Sequence, residues 1–345
     1  MNYKLYTTTQ KAWDAMLSEI NAAEHSVYLE MYILLHDTKE SHDFLGALKK
    51  KAISGLEVVV IADAFGSSAL PNEEIRTLRE AGVEFIFFKR WFKRTHRKIL
   101  IIDNKIAFLG GVNINEKIRN WRDIQIKVGG KIVKQLLRSF AYAYKIVGGK
   151  KESILSHSNF TLKQKLKSLI TDSFPKKGNK MKLSDYYIKS IFEAKEEIKI
   201  VTPYLAPPKR LLAALESSLL KGVKISMIIP VDTDIKILNR VNYLNAYRLG
   251  LMGVKMYLSK EMNHAKTMIV DKQLGFVGSQ NFDILSFDLN AEAGVFFRQK
   301  GIVSDLNELI TKWISEANRL EIKKFKFNLF DRMLMFLIKI FYRFI

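Results

Sequence analysis

Two stretches of the chain contain the same polar residues at the same spacing. Each reads H-x-K-x4-D and is followed, after six residues, by G-[GS]-x-N. The first copy contains His96, Lys98, Asp103 and Asn113, and the second contains His264, Lys266, Asp271, Ser279 and Asn281. On an extended chain, a histidine and a lysine two residues apart project from the same face. One such match could be an ordinary strand end, but two matches with identical spacing indicate a shared chemical function.

These residue types suit the chemistry of a phosphodiester. Lysine and asparagine side chains neutralise and hold phosphate oxygens, and they stabilise the charge that develops during transfer. One imidazole can attack phosphorus to give a phosphohistidine, while the other protonates the leaving oxygen and later deprotonates an alcohol or water. The sequence has no HExxH motif and no carboxylate cluster with the spacing of metal ligands. We therefore predict a phosphoryl-transfer site that uses neither a metal nor a cofactor.

The elements that hold the motifs can be predicted from the hydrophobic pattern. Four apolar residues, Ile99 to Ile102, follow the first motif lysine, which is typical of a buried strand. Strands and helices alternate before each motif, and matched helices end at Gly55 and Gly222. His264 lies 168 residues after His96 (264 − 96). The pattern therefore predicts a duplicated α/β domain with a largely parallel sheet.

We predict four segments: a first domain over 1–147, a linker over 148–184, a second domain over 185–321 and a basic amphipathic helix over 322–345. The linker prediction rests on Gly, Pro and many Lys with little periodicity. In the terminal segment, Lys and Arg follow one helical stripe and large apolar residues cover the rest, which favours a helix in the membrane interface. A helix packed on the core or on a second subunit is the alternative.

The composition narrows the class of protein. A chain of 345 residues, 48% of them hydrophobic, can form about two globular domains. The net charge of +21 favours an anionic partner, either nucleic acid or acidic lipid, although a lysine-rich soluble protein would share it. The absence of Cys excludes disulfides and thiolate metal sites. The start lacks a signal-peptide pattern, and no uncharged apolar run reaches the ~20 residues of a membrane span, so we expect a cytoplasmic protein.

The paired motifs resemble those of the phospholipase D superfamily, and within it the chain is similar to the bacterial cardiolipin synthases. The similar stretches cover nearly all of 25–298: SVYLEMYIL, GLEVVVIADAFGSS, THRKILIIDNKIAFLGGVNI, WRD, IVTPYLAPP, GVKISMIIPVDTD, HAKTMIVDKQLGFVGSQNFD and LNAEAGV. The resemblance implies two phospholipase D-type α/β domains in a pseudo-twofold arrangement, with one site at their interface. Two departures are the lack of the membrane-spanning helices that begin some cardiolipin synthases and Leu285-Ser286 where an Arg-Ser pair is common.

The resemblance also implies roles for individual residues. The catalytic set is His96, Lys98, Asp103, His264, Lys266 and Asp271, and the substrate-binding set is Asn113, Ser279 and Asn281. His96 is assigned as the nucleophile, and the two motif aspartates are expected to be structural more than chemical. Each motif histidine should be oriented by an acid about 28 positions later, which gives Glu292 for His264. For His96 the nearest acid is Asp123, one position short of that spacing. An acid bonded to Nδ1 fixes the tautomer and leaves Nε2 free to attack.

The function that follows is a phosphatidyltransferase of the cardiolipin synthase type. It would pass a phosphatidyl group through a phosphohistidine to another lipid, with phosphatidylglycerol as the expected substrate. We expect it on the cytoplasmic face of the cell membrane, bound peripherally to anionic phospholipid. The alternatives are a phospholipase D-type hydrolase, a metal-independent nuclease of the same superfamily, and a lipid-binding scaffold with an inactive site. The apolar terminal segment argues against nucleic acid, because a nucleic-acid groove needs no such helix.

Overall fold

The computed structural model describes residues 2–159, 168–172 and 182–322, together with Asp331 and Met333. The chain forms two compact units. The first contains Met1–Pro175, Val277–Ser279 and Leu289–Phe296, and the second contains Lys176–Phe276, Gln280–Asp288 and Phe297–Ile345. Two short stretches of the second repeat thus belong to the first unit. The predicted limits of the domains, linker and terminal helix stay predictions.

A seven-stranded sheet forms the centre of the first unit. Its strands are β1 (Tyr3–Thr8), β2 (Ser26–Met31), β3 (Glu57–Asp63), β4 (Glu84–Phe88), β5 (Ile99–Ile102), β6 (Ile106–Gly110) and β7 (Arg122–Gly129). Their order is β1-β7-β6-β5-β2-β3-β4. All residues of β2 and β5 are buried, because both strands lie inside the sheet and are covered on both faces.

The prediction of a largely parallel sheet is wrong. Only the pairs β2–β3 and β3–β4 are parallel, and the other four pairs are antiparallel. The reason lies in the turn after β5, where Asp103 and Asn104 have φ of 49° and 55°. Residues in the left-handed backbone conformation suit a tight hairpin turn. The chain therefore returns directly as β6 instead of crossing over through a helix.

Helices pack on this sheet. They are α1 (Thr9–Ala22), α2 (Phe44–Ile53), α3 (Asn72–Glu80) and α4 (Lys131–Ile146), and the short helix α5 (Glu152–Leu155) contacts α4. In α1, Trp13, Met16 and Ile20 recur at helical spacing and are fully buried, so this face joins the core. The Thr8 hydroxyl accepts a hydrogen bond from the Lys11 amide at 3.4 Å and caps the helix.

The later part of the chain repeats the central part of this plan. The remaining strands are β8 (Ser168–Asp172), β9 (Glu197–Val201), β10 (Leu205–Ala206), β11 (Lys224–Pro230), β12 (Lys255–Ser259), β13 (Thr267–Val270), β14 (Leu274–Gly278), β15 (Phe282–Asp283), β16 (Ala293–Phe297) and β17 (Asn318–Arg319). Eight of them form a sheet in the order β17-β12-β11-β9-β13-β14-β16-β8, and β10 pairs with β15. Strand β9 pairs parallel with β11 and antiparallel with the motif strand β13, as β2 does with β3 and β5. The predicted duplication of an α/β unit is confirmed.

The helices of the second unit are α6 (Leu183–Phe192), α7 (Lys209–Leu220), α8 (Lys236–Leu251) and α9 (Lys300–Glu316). Helix α9 ends at Glu316, and residues 318–319 pair with β12 as β17. A π-helical turn, Leu285–Leu289, follows the second motif. Within the segment predicted as a linker, the chain forms α5, the 3₁₀ turn Ser156–Asn159 and β8.

Most of the predicted terminal helix, 322–345, lies outside the described residues. Asp331 is buried, and its two carboxylate oxygens accept hydrogen bonds from Arg240 of α8. Met333 is exposed. Among the residues that the structure describes, no helix has both the length and the apolar character that crossing a membrane requires.

Candidate active site

The first motif histidine is placed by a short backbone ladder. Strands β2, β3 and β4 are parallel and β5 is antiparallel to β2, so the start of β5 lies at the edge where the parallel strands end. Just before β5, the His96 amide donates to the Ala291 carbonyl at 2.9 Å, and the Ala291 amide donates to the Arg94 carbonyl at 2.8 Å. This ladder brings Glu292 beside His96.

The carboxylate of Glu292 is hydrogen-bonded to the imidazole of His96. Nδ1 of His96 lies 3.0 and 3.1 Å from the two carboxylate oxygens. Glu292 is fully buried, and His96 is nearly so. A carboxylate at Nδ1 holds the proton on that nitrogen, which leaves the lone pair of Nε2 available to attack an electrophile.

This pairing corrects the assignment of the orienting acids. The spacing assigns Asp123 to His96 and Glu292 to His264, each within its own repeat. The structure gives His96 the glutamate of the other repeat, because the ladder between residues 94–96 and 291 sets which side chains meet. The role of Asp123 as an orienting residue stays a prediction.

Asp123 is buried in the first unit, next to a glycine of the motif. Its Oδ1 accepts a hydrogen bond from the Ile124 amide at 2.7 Å. A Cβ atom added to Gly111 would lie 2.2 Å from that same Oδ1. In the first copy this position therefore suits glycine, since a Cβ atom would collide with the Asp123 carboxylate.

Ser279 occupies the position that matches Gly111, and its hydroxyl contacts Glu292. The Ser279 hydroxyl donates to the Glu292 carboxylate, and it accepts from the Ala293 amide at 3.1 Å. Ser279 is fully buried. These bonds fix the Glu292 carboxylate toward His96. The geometry thus gives Ser279 a positioning contact, and its role in substrate binding stays a prediction.

The two motif lysines have the same arrangement in both units. Lys98 and Lys266 are buried, and each Nζ donates to the backbone carbonyl of the histidine two residues earlier. The Lys98 distance is 2.5 Å. Each bond holds the ammonium on the histidine side of its strand, as the spacing predicted. A buried ammonium is a strong donor for the oxygens of a bound phosphate.

The carboxylates of the two motif aspartates accept hydrogen bonds from backbone amides. Asp103 accepts from the amides of residues 24, 25 and 26 at 2.7–3.0 Å, and Asp271 accepts from residues 195, 196 and 197 at 2.8–3.0 Å. Burial raises the pKa of Asp103, but these three amide bonds outweigh it and leave the pKa below its ordinary value. Both aspartates tie the motif hairpin to the start of the neighbouring strand.

The motif asparagines differ in their surroundings. Oδ1 of Asn113 accepts from the Ile33 amide at 3.2 Å, and its carbonyl accepts from the Trp13 indole at 2.7 Å. Asn281 donates its amide to Ser286 at 3.2 Å. Its side-chain Oδ1 is buried, with no hydrogen-bond partner among the described residues. Asn113 is therefore fixed by the fold, while Asn281 retains side-chain bonding capacity for a ligand.

Two tyrosines that the sequence did not single out face the motif histidines. Tyr32 lies edge-on to His96 with ring centroids 4.8 Å apart, and Tyr204 lies edge-on to His264 at 6.2 Å. Nζ of Lys98 lies 5.0 Å from the Tyr32 ring. Both tyrosines come just after matched strands, Tyr32 after β2 and Tyr204 after β9. That shared position was the signal that could have identified them.

A network of buried polar groups lies behind His96. Arg97 and Glu30 form an ion pair at 3.2 Å with both side chains fully buried. Glu30 also accepts from the Thr95 hydroxyl at 2.6 Å, and Arg97 donates to the Ser139 hydroxyl at 2.9 Å. These bonds hold both neighbours of His96 in place.

Asp63, at the end of β3, extends this network. Its Oδ2 accepts from the Thr95 amide at 2.7 Å, and its Oδ1 accepts from the Phe65 and Gly66 amides at 3.0 Å. Burial raises the pKa of Asp63, and the amide bonds oppose this only in part. The backbone before His96 is thus fixed from a second strand.

Comparison with known proteins identifies the family. The family described as cardiolipin synthase, PLD-like domain, matches twice, at residues 16–143 and 187–314. The chain belongs to the phospholipase D superfamily. It is an enzyme of that superfamily, and the two matches correspond to the two repeats described above. Among the described residues, no three His, Asp or Glu side chains are grouped as a metal site would require.

Relatives agree with this assignment, and one solved structure shares the fold. The chain is 33% identical to the cardiolipin synthase of Clostridium perfringens, over 93% of this chain and 72% of that protein. It is 32% identical to the cardiolipin synthase of Oceanobacillus iheyensis, over 88% of this chain and 66% of that protein. Phosphatidylserine synthase from Haemophilus influenzae has the same fold, with a TM-score of 0.78 at 14% identity over 98% of this chain and 93% of that one.

Proposed function

We propose that this enzyme transfers a phosphatidyl group from one phospholipid to a hydroxyl of another, as a cardiolipin synthase does. The observation that carries the proposal is the buried Glu292 carboxylate on Nδ1 of His96. It prepares a nucleophile for phosphorus next to a buried lysine. The names of the relatives supply the substrate class, because both are cardiolipin synthases.

The reaction proceeds in two steps. Nε2 of His96 attacks phosphorus, the bond from phosphorus to the leaving oxygen breaks, and His264 gives that oxygen a proton. A hydroxyl of the second lipid then loses its proton to His264 and attacks phosphorus, which breaks the P–N bond and restores His96. Lys98 and Lys266 hold the phosphate oxygens and offset their charge in both steps.

Phosphatidylglycerol is the substrate we propose, both as donor and as acceptor. Transfer between two such molecules yields cardiolipin and releases glycerol. We also propose that the enzyme acts on the cytoplasmic face of the membrane as a peripheral protein. The net charge of +21 supports an anionic surface as its partner.

Mass spectrometry of lipids after incubation with phosphatidylglycerol vesicles tests the function. Cardiolipin with an equal amount of glycerol supports transfer, whereas phosphatidic acid without cardiolipin would show hydrolysis by water as acceptor. A parallel incubation with DNA tests the nuclease alternative, and cleaved DNA without a lipid product would replace the proposal. A further sample dialysed against excess chelator tests metal-free catalysis; activity that returned only with one divalent ion would contradict it.

A further inference from the structure

One surface segment close to His96 is not used by the proposed chemistry. Residues 89–94, KRWFKR, join β4 to the backbone that carries His96, and we term them the aromatic loop. Trp91 is 85% exposed and Phe92 is 77% exposed. No other Trp or Phe in the described part of the chain is as exposed. Large apolar rings in water are unfavourable, so their exposure needs a reason.

The fold holds these two rings outward. Arg90 and Lys93 form an antiparallel bridge that closes a tight turn, with Trp91 and Phe92 at its tip. Phe92 has a φ of 56°, in the left-handed region that a bulky residue rarely adopts. The rings contact each other edge to face, with centroids 5.6 Å apart. The rings are therefore presented by a defined turn, with a strained residue at its centre.

Four cations surround the rings. Lys89, Arg90 and Lys93 are exposed, and the Arg94 guanidinium lies 4.5 Å from the ring centre of Phe65. Phe65 is itself exposed, on the turn that follows β3. The Arg94 charge also acts on the carboxylate of Asp63, whereas no salt bridge is formed by Lys89, Arg90 or Lys93 among the described residues. The patch thus combines three exposed aromatic rings with four positive charges at the sheet edge where His96 lies.

We propose that the aromatic loop inserts into the headgroup region of an anionic phospholipid bilayer. Trp and Phe rings partition into the membrane interface, and nearby Lys and Arg are attracted to anionic lipid. Single-stranded nucleic acid is the other anion that such a loop could bind, but stacked bases need open ring faces. Here the edge of one ring covers the face of the other. Insertion would place lipid headgroups beside the segment that leads to His96.

This inference rests on the proposed function in one respect, namely that the substrate of the enzyme is a membrane lipid. Binding can be measured without any turnover, so the two can fail separately. Trp91 is a native probe for it, because Trp13 and Trp313 are buried and Trp121 is partly buried. We expect vesicles of phosphatidylcholine with phosphatidylglycerol to shift the tryptophan emission of the whole protein to the blue and to reduce quenching by acrylamide. Vesicles of phosphatidylcholine alone should have a smaller effect.

Substitution then locates the effect. The Trp91→Ala/Phe92→Ala variant should bind the anionic vesicles about tenfold more weakly or worse, since two rings no longer enter the interface. Its turnover of a short-chain soluble phosphodiester should stay unchanged, while turnover of vesicle lipid falls. Phe192→Ala is the matched control, because Phe192 is an exposed ring in the second unit with the Lys221 ammonium 3.9 Å from its centre. It should bind vesicles as the wild type does.

Several outcomes would overturn the inference. The loop is not the contact if the wild type floats with vesicles while its tryptophan emission stays unchanged. The same conclusion follows if the Phe192 variant and the loop variant lose equal affinity. A larger emission change with single-stranded DNA than with anionic vesicles would assign the loop to nucleic acid. A blue shift with vesicles but no lipid product would support the loop and reject the proposed function.

Discussion

The two repeats hold the same motif in different surroundings. On the strand that neighbours the motif strand, Glu30 pairs with Ile99 in the first repeat, and Val201 pairs with Thr267 at the matching place in the second. The motif itself carries Arg97 in one copy and Ala265 in the other. A buried ion pair in the first repeat is thus replaced by apolar residues in the second.

What the repeats share is the set of contacts next to the chemistry. In each, the lysine donates to the histidine carbonyl, the aspartate binds three backbone amides, and a tyrosine faces the imidazole edge-on. What differs is the support behind the histidine. Because the two motif copies match while this support differs, the motif alone does not assign a role to each histidine.

Removing either motif histidine should have the largest effect on turnover, and the two variants should respond differently to the leaving group. His96→Ala and His264→Ala should each lower turnover of phosphatidylglycerol by about 10³-fold or more, because a nucleophile and an acid are both required. A substrate with a nitrophenol leaving group needs no acid in the first step, so His264→Ala should regain a single burst of nitrophenol release with it and His96→Ala should not. Equal recovery of both variants would reject the assignment of His96 as nucleophile. Circular dichroism serves as the control for folding.

Glu292→Gln should reduce turnover by about 10²-fold or more, because the amide has no charge to hold the imidazolium that forms and can present its NH₂ to Nδ1. Ser279→Ala should have a smaller effect, since it removes one bond to the same carboxylate. The measurement is kcat with a soluble phosphodiester, compared with KM. An increase in KM alone would show that Glu292 binds substrate instead of orienting His96.

Arg97→Met should destabilise the protein by about 3–5 kcal/mol, because it leaves Glu30 charged and buried without its partner. Glu30→Gln combined with Arg97→Met should recover a part of that loss. Denaturant unfolding measures both, and the thermodynamic cycle gives the coupling. Ala265→Gly in the second repeat is the matched control at the equivalent position. A coupling free energy near zero between Glu30 and Arg97 would mean that their ion pair does not stabilise the first repeat.

Asp103→Asn should destabilise by a smaller amount, about 1–2 kcal/mol at neutral pH, because the amide loses charge-assisted bonds to three backbone amides. The folded pKa of Asp103 lies below its ordinary value, so the wild-type advantage should be present above that value and fall as the pH drops through the folded pKa. Urea unfolding between pH 7 and pH 3 measures it. A difference between wild type and variant that grows toward acid pH would contradict this reading.

The sequence predicted the parts of the site that depend on local spacing. The alternation of His96 and Lys98, and the apolar run after them, predicted a buried strand with both polar groups on one side. The internal repeat predicted the duplicated fold. These features depend only on strand geometry, which is why spacing was sufficient.

The sequence could not give the contacts that arise between distant segments. The partner of His96 is Glu292 because a backbone ladder pairs residues 94–96 with 291, and no spacing within one repeat contains that information. The bond from Ser279 to Glu292 could not be predicted for the same reason, because it depends on where β16 lies. The antiparallel half of the first sheet was missed because the signal for a hairpin, Asp103-Asn104, lies inside the motif.

The pairing of His96 with Glu292 also affects how the protein is made. The two residues are 196 positions apart, and the segment with Glu292 belongs to the unit that contains His96. At about 5–20 residues per second, a ribosome needs roughly 10–40 s between them. During that time the nascent chain contains His96 but not Glu292. The backbone at residues 94–96 also lacks its hydrogen-bond partner, Ala291. A chaperone that binds the nascent chain would therefore bind a protein in which His96 has no orienting carboxylate.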